Sequence, residues 1–486
     1  MGKEIEKLEP HGLWENFYRL TQIPRPSKKE SKAIDFVEQY GRQLGLETVR
    51  DATGNVVIRK PATPGYENRA GIILQGHCDM VPQKNSDKEH DFETDPIQTV
   101  IDGEWVRADG TTLGADNGIG VAAALAVLAD DTLEHGPVEV LVTMDEETGM
   151  TGANALRPGV LKGDILLNLD SEEEGELYVG CAGGIDANIT FHSTPVETAD
   201  DDIAFRISIG GLCGGHSGCD IALQRANANK LLFRFLKYAA ANYEAMLAHV
   251  DCGNMRNAIP REGYAIITID REDREDFLEA VDEFEDMFRA EYSGVEPNLR
   301  FEAVQVDTPA TVIDEMTADD LINAVQGCPN GVIRMSTDMP GLVETSSNLA
   351  IVCSHDSRID VRLLIRSSVD TAKEDVASSV ESIFRLAGAD VELTGEYSGW
   401  KPNMKSAILA EMQSLYARLF GAEPHVTSIH AGLECGIMGA KYPNWDMISF
   451  GPTIRHPHSP DEKVNIASVG RFWTLLTETL KNAPVK

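Results

Sequence analysis

Residues 70–80 read AGIILQGHCDM, an apolar run that closes on His77, Cys78 and Asp79, three side chains able to hold a metal ion. Successive side chains of a strand face opposite ways, so His77 and Asp79 share one face and Cys78 takes the other. Cys78 is then a small buried hydrophobe behind the site and the least suited of the three to be a ligand. A lone His-x-Asp carries little weight, because a histidine at a strand end is more often a hydrogen-bonded structural residue. The neighbouring strand ends carry the case. TTLGADNGIG sets Asp116 at the entry to a helix, VTMDEETG sets Asp145, Glu146 and Glu147 directly after a buried strand, and LLNLDSEEEG sets Asp170 after another. One acid after a strand is commonly a helix cap. Several such ends closing on an acid or a histidine point to a site, since open α/β sheets gather ligands outside the carboxyl ends of their strands.

SFGPTIRHPHSPDEKV adds His456 and His458 in a loop after a late strand. Imidazoles mixed with carboxylates suit Zn²⁺, Co²⁺ or Mn²⁺ and are poor for soft-metal or iron–sulfur chemistry. Two metals close together need a bridging group, which a two-oxygen carboxylate can be, and such a pair can hold a hydroxide and polarise a carbonyl. Chemistry alone does not choose between His456 and His458. GGLCGGHSG (210–218) is rich in glycine but fits neither GxGxxG nor GxxxxGK, so it is not a phosphate loop.

The elements that must position these residues can be read from periodicity. ESKAIDFVEQYGRQLGL has helical spacing after the capping-type Ser27, NVVIR and GIILQG read as strands, NGIGVAAALAVLAD as a small-residue helix, and VEVLVTM and DILLNLD as buried strands. Strands alternating with helices predict an α/β domain with a mostly parallel sheet flanked by helices. From about residue 187 the texture changes. DIAFRISIGG, GYAIITID and SRIDVRLLIRSS alternate like strands of a sheet with one face exposed, between a helical pattern over 219–247 and the acidic helix EDREDFLEAVDEFEDMFRAEY. After about residue 397 amphipathic helices return around short strands such as DMISFG. The expected organisation is a catalytic domain of residues 1–186 and 398–486, interrupted by an inserted α+β domain of residues 187–397.

Composition narrows the function. The 486-residue chain carries a formal charge of −35, which argues against nucleic acid or an anionic membrane as partner, since both are bound through basic patches. No stretch approaches the ~20 apolar residues of a membrane span, and the opening MGKEIEKLEPHG is too charged for a signal peptide. Eight cysteines without a CxxC pair are expected to be reduced thiols. A cytoplasmic enzyme is expected.

The segments GHCDMVP, DGTTLGADNGIGVA, DEETGMTGA, NLDSEEEGELYVGCAGG, GGHSG, RNAIPRE and GPTIRHPHSPDE occur in the order found in aminoacyl-histidine dipeptidases. The chain resembles that family along nearly its whole length, within the broader dinuclear metallopeptidases that include aminoacylases, carnosinases and glutamate carboxypeptidases. The resemblance implies two divalent metal ions per chain, zinc first with manganese or cobalt as alternatives. His77 and Asp170 would complete one metal site, Glu147 and His458 the other, with Asp116 bridging; the family pattern prefers His458 because the ligand directly precedes Ser-Pro-Asp. Asp79 would orient His77, and Glu146 would be the general base toward the water held by the metals. In the inserted lid, His216 resembles the histidine that reaches the scissile carbonyl, often across a homodimer, while Asn257 and Arg366 resemble groups that hold the substrate backbone and terminal carboxylate. Glu434 in HAGLECGIM is a candidate for a substrate amine. The function implied is hydrolysis of dipeptides, Xaa-His or broader. An N-acyl amino acid deacylase or a tripeptidase would share the metals and differ in the pocket, and an inert metal-binding or assembly module would have lost a ligand or the base.

Overall fold

Short runs dense in Val, Ile and Leu are expected in strands covered on both faces. The computed structural model, which describes residues 3–486, builds the centre of a sheet from them. Two compact units are present, one made of the chain up to Gly180 with Pro402–Ser428 and Leu433–Lys486, the other of Cys181–Lys401 with Ile429–Gly432.

The first unit holds β1 (Glu47–Arg50), β2 (Val56–Lys60), β3 (Ile72–His77), β4 (Val138–Thr143), β5 (Ile165–Asn168), β6 (Glu176–Cys181), β7 (His425–Ile429) and β8 (Asp446–Ser449). Their order in the sheet is β1-β2-β4-β3-β5-β8-β6-β7. β3, β4 and β5 are buried at every position. β3 runs parallel to β4 and β5, and β5 to β8. β1 with β2, β2 with β4 and β8 with β6 pair antiparallel. The α/β class is as expected, with the parallel pairs confined to the centre. The flank has a local cause. The Asp51 carboxylate accepts the N–H groups of Thr53, Gly54 and Asn55 and closes a turn too short for anything but an antiparallel pair. Because the centre is parallel, the carboxyl ends of β3, β4 and β5 leave the sheet at one edge.

Helices α1 (His11–Thr21), α2 (Ser31–Gln43) and α3 (Ala115–Ala129) precede or follow these strands, and α3 packs against α1 and β3. The N-cap position of α2 is Glu30, not Ser27. The Glu30 carboxylate is spent on the backbone N–H of Asp145 at 2.9 Å. The small residues of α3 have a steric reason. A Cβ on Gly120 would lie 2.5 Å from the Leu169 carbonyl oxygen, and one on Gly76 would collide with the Asn117 side chain. Asp116 (φ −76°, ψ 114°) and Asn117 (φ −104°, ψ 32°) are not helical, so the regular helix begins after them.

A separate small sheet joins Thr99–Asp102, Trp105–Ala108, Lys463–Asn465 and Ile454–Arg455. Its hairpin pairs Ile454 with Val464 and Arg455 with Lys463, while Lys463–Asn465 pairs with Trp105–Arg107. The hairpin loop, 456–462, is thereby anchored to the strand that leads toward Asp116. Helices α4 (Ala407–Phe420) and α5 (Ile466–Lys481) pack on each other.

In the second unit an antiparallel sheet of nine strands carries helices Ala228–Tyr243, Arg274–Glu291, Glu315–Gly327 and Asp370–Leu386. Phe205, Ile207 and Ile209 enter their shared core and Arg206 between them is exposed, the alternation of a sheet with one solvated face. The helical pattern expected over 219–247 is realised only from Ala228, where the Asn227 side chain accepts the Lys230 N–H, and Ile221–Leu223 forms a 3₁₀ turn instead. None of the eight cysteines is in a disulfide. Among the described residues no helix is long and apolar enough to cross a membrane.

Gly120→Ala is expected to force α3 away from Leu169, the residue before Asp170, at the cost of about 1–3 kcal/mol typical of overpacking. Urea unfolding checks it, and wild-type stability would contradict so close an approach.

Candidate metal centre

The parallel centre brings its strand ends together. His77 ends β3 with its side chain 1% exposed, and its Nε2 lies 3.0 Å from Asp116 Oδ1 and 3.3 Å from Asp170 Oδ1. His458 Nε2, from the 456–462 loop, lies 3.1 Å from Asp116 Oδ2 and 3.0 Å from Glu147 Oε2. One carboxylate thus gives an oxygen to each imidazole. Each imidazole has a carboxylate of its own besides, Asp170 for His77 and Glu147 for His458. His456 is exposed, and its carbonyl accepts the Ser459 hydroxyl.

Asp79 sits 3.4 Å from His77 Nδ1 and accepts the backbone N–H groups of Glu146 (2.9 Å) and Glu147 (3.3 Å). It therefore faces the ring nitrogen turned away from the cluster and also fixes the turn after β4. Burial would raise its pKa, but His77 and the Glu146 N–H outweigh burial and bring it down to about 2. Cys78 lies buried beside this pair, its N–H bonded to the Thr143 carbonyl. Burial pushes its thiol up to about 12, so a thiolate is disfavoured there.

The donor set fits divalent cations. Ligating atoms of His77, Asp116 and Glu147 all lie within 4.8 Å of one another. Glu147 Oε1 is buried with no hydrogen-bond partner, a costly arrangement unless a cation is the intended partner. Burial opposes charge on His77, yet Asp170, Asp116 and Asp79 drive its pKa well above the ordinary value. Hydrogen bonds to Asp116 and Glu147 lift His458 to about 11. The surrounding acids thus favour positive charge on the imidazoles, and a divalent cation supplies the same balance to neutral imidazoles. Burial, opposed by His77 and reinforced by Asp170, Glu434 and Glu147, pushes the Glu146 carboxyl well above its usual range.

Three buried charges escaped sequence reasoning. Arg25 donates to the carbonyls of Cys78, Asp79 and Gly114, Glu30 holds Asp145 as described, and Glu462 accepts backbone N–H groups of the turn before Asp116. Only Glu462 left a signal, an acid four residues beyond His458 in the same loop. Glu434, 1% exposed, accepts Gln75 Nε2 at 2.5 Å and Thr143 Oγ1 at 2.7 Å, and its Oε1 has no partner.

The remaining candidates lie in the second unit. His216 Nδ1 accepts the N–H groups of Gly218 (3.1 Å) and Cys219 (3.0 Å), so the proton of the neutral ring belongs on Nε2. Asn257 is exposed, and its carbonyl accepts the Ser217 N–H at 2.8 Å, which ties its loop to that of His216. Arg366 is 5% exposed, donates to Tyr397 Oη at 3.0 Å and has a buried Nε without a partner. His430, which sequence reasoning missed, places Nε2 2.7 Å from Ser346 Oγ. Burial, then Arg366 and His216, push its pKa down to about 3.

Three substitutions at neighbouring positions are expected to differ. His77→Ala removes an imidazole from the cluster and abolishes most cation binding. Asp79→Asn lowers cation affinity by the ~10- to 100-fold typical of groups that orient a ligand, and Cys78→Ala leaves it unchanged at a stability cost of about 1 kcal/mol. Calorimetric zinc titration of the three variants checks this. Loss of binding in Cys78→Ala would contradict the assignment of faces.

Comparison with known proteins agrees with a peptidase scaffold. The model of Peptidase family M20/M25/M40 matches residues 73–482. The chain is 46% identical over 484 residues, 99% of its length and 100% of the relative's, to the cytosol non-specific dipeptidase of Escherichia coli (strain K12). The crystal structure of aminoacylhistidine dipeptidase from Vibrio alginolyticus is similar at 47% identity and a TM-score of 0.95, covering 99% of this chain and 98% of that one. An aminopeptidase from Bacillus cereus shares the fold at 16% identity and a TM-score of 0.61, covering 98% of each chain. This chain belongs to Peptidase family M20/M25/M40.

Proposed function

We propose that this chain is a dinuclear metallodipeptidase that hydrolyses the peptide bond of dipeptides, Xaa-His among them. The observation that carries the reading is Asp116, whose two oxygens meet two different imidazoles. The names of two full-length relatives, a non-specific dipeptidase and an aminoacylhistidine dipeptidase, support the substrate class. In this reading His77 and Asp170 would hold one cation, Glu147 and His458 the other, and Asp116 would serve both. Zinc is the first choice for this nitrogen and oxygen set, with manganese or cobalt as alternatives. When bound, the two cations supply Lewis acidity that polarises the peptide carbonyl and makes water a nucleophile at neutral pH.

The chain's own residues do the rest. Glu146 takes a proton from the attacking water and returns it to the leaving amine. Asp79 holds the tautomer and orientation of His77. His216, with its proton on Nε2, donates to the substrate carbonyl oxygen, Asn257 bonds the substrate backbone, and Arg366 offers its planar fork to the terminal carboxylate. The first compact unit serves as the catalytic domain and the second as the lid and dimerisation domain, with the divisions after Gly180 and Lys401 rather than at the expected 186 and 397, and with Ile429–Gly432 in the second. We further propose a cytoplasmic homodimer. The first is supported by the word cytosol in a relative's name, the second by two-fold dimers being the commonest assemblies.

Protein stripped of metal and reloaded with zinc, manganese or cobalt is expected to release amino acids from a dipeptide panel that includes carnosine. Preferential cleavage of a tripeptide or an N-acetyl amino acid would overturn the substrate assignment. Glu146→Gln keeps size and cannot take a proton, so cation content should remain near two per chain while turnover falls by at least ~10²-fold. Activity close to wild type would remove Glu146 from the mechanism.

A further inference from the structure

Glu462 follows His458 by four residues in the same loop, yet its carboxylate is turned inward and the residue is 2% exposed. Its Oε2 accepts the N–H groups of Leu113 (2.8 Å) and Gly114 (3.0 Å), and its Oε1 those of Ala115 (2.7 Å) and Asp116 (3.3 Å). Consecutive N–H groups converge on one anion where the backbone curls into a concave nest that includes a left-handed residue. Gly114, at φ 69°, supplies that residue. On the carbonyl side of the same turn, Arg25 donates to Gly114 and also to the carbonyls of Cys78 and Asp79, at 3.0 and 3.2 Å. The turn is held from one side by a buried anion and from the other by a buried cation.

We propose that Glu462 is a positioning residue for cation binding, setting at once the direction of the Asp116 carboxylate and the distance to it of the loop that carries His458. The inference rests on the dinuclear reading. Leu113 to Asp116 precede the regular part of α3, and their four N–H groups are the donors that Glu462 satisfies. Take the carboxylate away, and those groups must find other acceptors or stay unsatisfied in the interior, which the turn avoids by changing shape. Asp116 is the last residue of that turn, so its oxygens then leave their positions 3.0 and 3.1 Å from the two imidazoles. The hairpin of residues 454–465 ties the base of the His458 loop to the preceding strand. Glu462 is the tie at its inner end, and its N–H donates back to the Ser459 carbonyl at 3.0 Å.

Glu139 makes a control elsewhere in the unit, with one oxygen on backbone N–H groups and the other on Arg59 Nε at 2.8 Å. It is a buried carboxylate of the same unit that also accepts two backbone N–H groups, those of Lys162 (2.6 Å) and Gly163 (2.8 Å), in the loop before β5 and away from the cluster. Wild type, Glu462→Gln, Glu462→Asp and Glu139→Gln are stripped of metal, checked for cooperative unfolding, and titrated with zinc by calorimetry and with cobalt(II) by visible absorption. The amide of Glu462→Gln turns an NH₂ toward two of the backbone donors. Its affinity for zinc is expected to fall by at least ~10-fold, within the range for groups that orient ligands, with an altered cobalt spectrum. Glu462→Asp, which keeps the charge on a shorter arm, is expected to lie between wild type and Glu462→Gln. Glu139→Gln should lose stability and keep the wild-type affinity and spectrum. Wild-type affinity and spectrum in Glu462→Gln, or in Glu462→Asp should the first variant fail to fold, overturn the positioning role. Equal loss of affinity in Glu139→Gln also overturns it, because a general loss of stability then accounts for both. A wild type that binds fewer than two cations overturns the dinuclear reading itself, a result distinct from the others.

Discussion

Asp116 offers one oxygen to His77 and the other to His458, and the architecture of the first unit follows from keeping both contacts. The two histidines come from distant parts of the chain, one at the end of a central strand and one in a late hairpin loop. A single carboxylate spans only a few Å, so three segments must meet within that distance. Parallel pairing of β3, β4 and β5 sends their carboxyl ends to one edge. The glycines of α3 let the Asp116 turn come down on that edge without a Cβ in the way. The four-stranded sheet brings the late loop to the same place.

Irregular backbone around such a point must satisfy its N–H and C=O groups without a helix or a ladder. Buried carboxylates serve that need repeatedly in this unit. Asp51 caps the β1–β2 turn, Glu139 the approach to β5, Glu30 the start of the acidic turn after β4, and Asp79 the next residues of that turn. Each one fixes backbone beside or beneath a donor of the cluster or at the far end of the strands that carry them. The backbone beside the cluster is therefore held by Glu30 and Asp79, acids outside the proposed ligand set, whereas Glu139 fixes the opposite end of the strands.

The ends of the buried strands were legible because a run of Val, Ile and Leu that stops on His or Asp states both the strand and its exit. Strand ends therefore proposed His77, Asp116, the acids Asp145 to Glu147 and Asp170 as neighbours, the family resemblance singled out Glu147, and the structure brings His77, Asp116, Glu147 and Asp170 together. Between His456 and His458 it had no physical basis for a choice, since both have positive φ (55° and 60°) in a loop whose register depends on contacts hundreds of residues away. Arg25, in the stretch IPRPSK, was invisible because nothing periodic surrounds it and its partners are backbone carbonyls. Periodicity does not encode strand direction, which left the antiparallel flanks of the first sheet unread. Apolar spacing over 219–247 suggested a single helix, but Gln224 takes φ 52° and the helix starts afresh at Asn227. His430 was missed because the short excursion Ile429–Gly432 joins the second unit, a change of allegiance too brief to leave a pattern.

The place of β8 has a temporal consequence. Residues 446–449 lie between β5 and β6, strands made from residues 165–168 and 176–181, so the sheet is filled there by a segment made long after its two neighbours. Without residues 446–458 the sheet lacks the strand between β5 and β6 and the cluster lacks His458. Long-range strand pairing of this kind is slow and awaits the release of the late segment. The cluster is therefore completed only when the segment that also supplies a strand to the sheet has joined it, so the sheet and the centre close together.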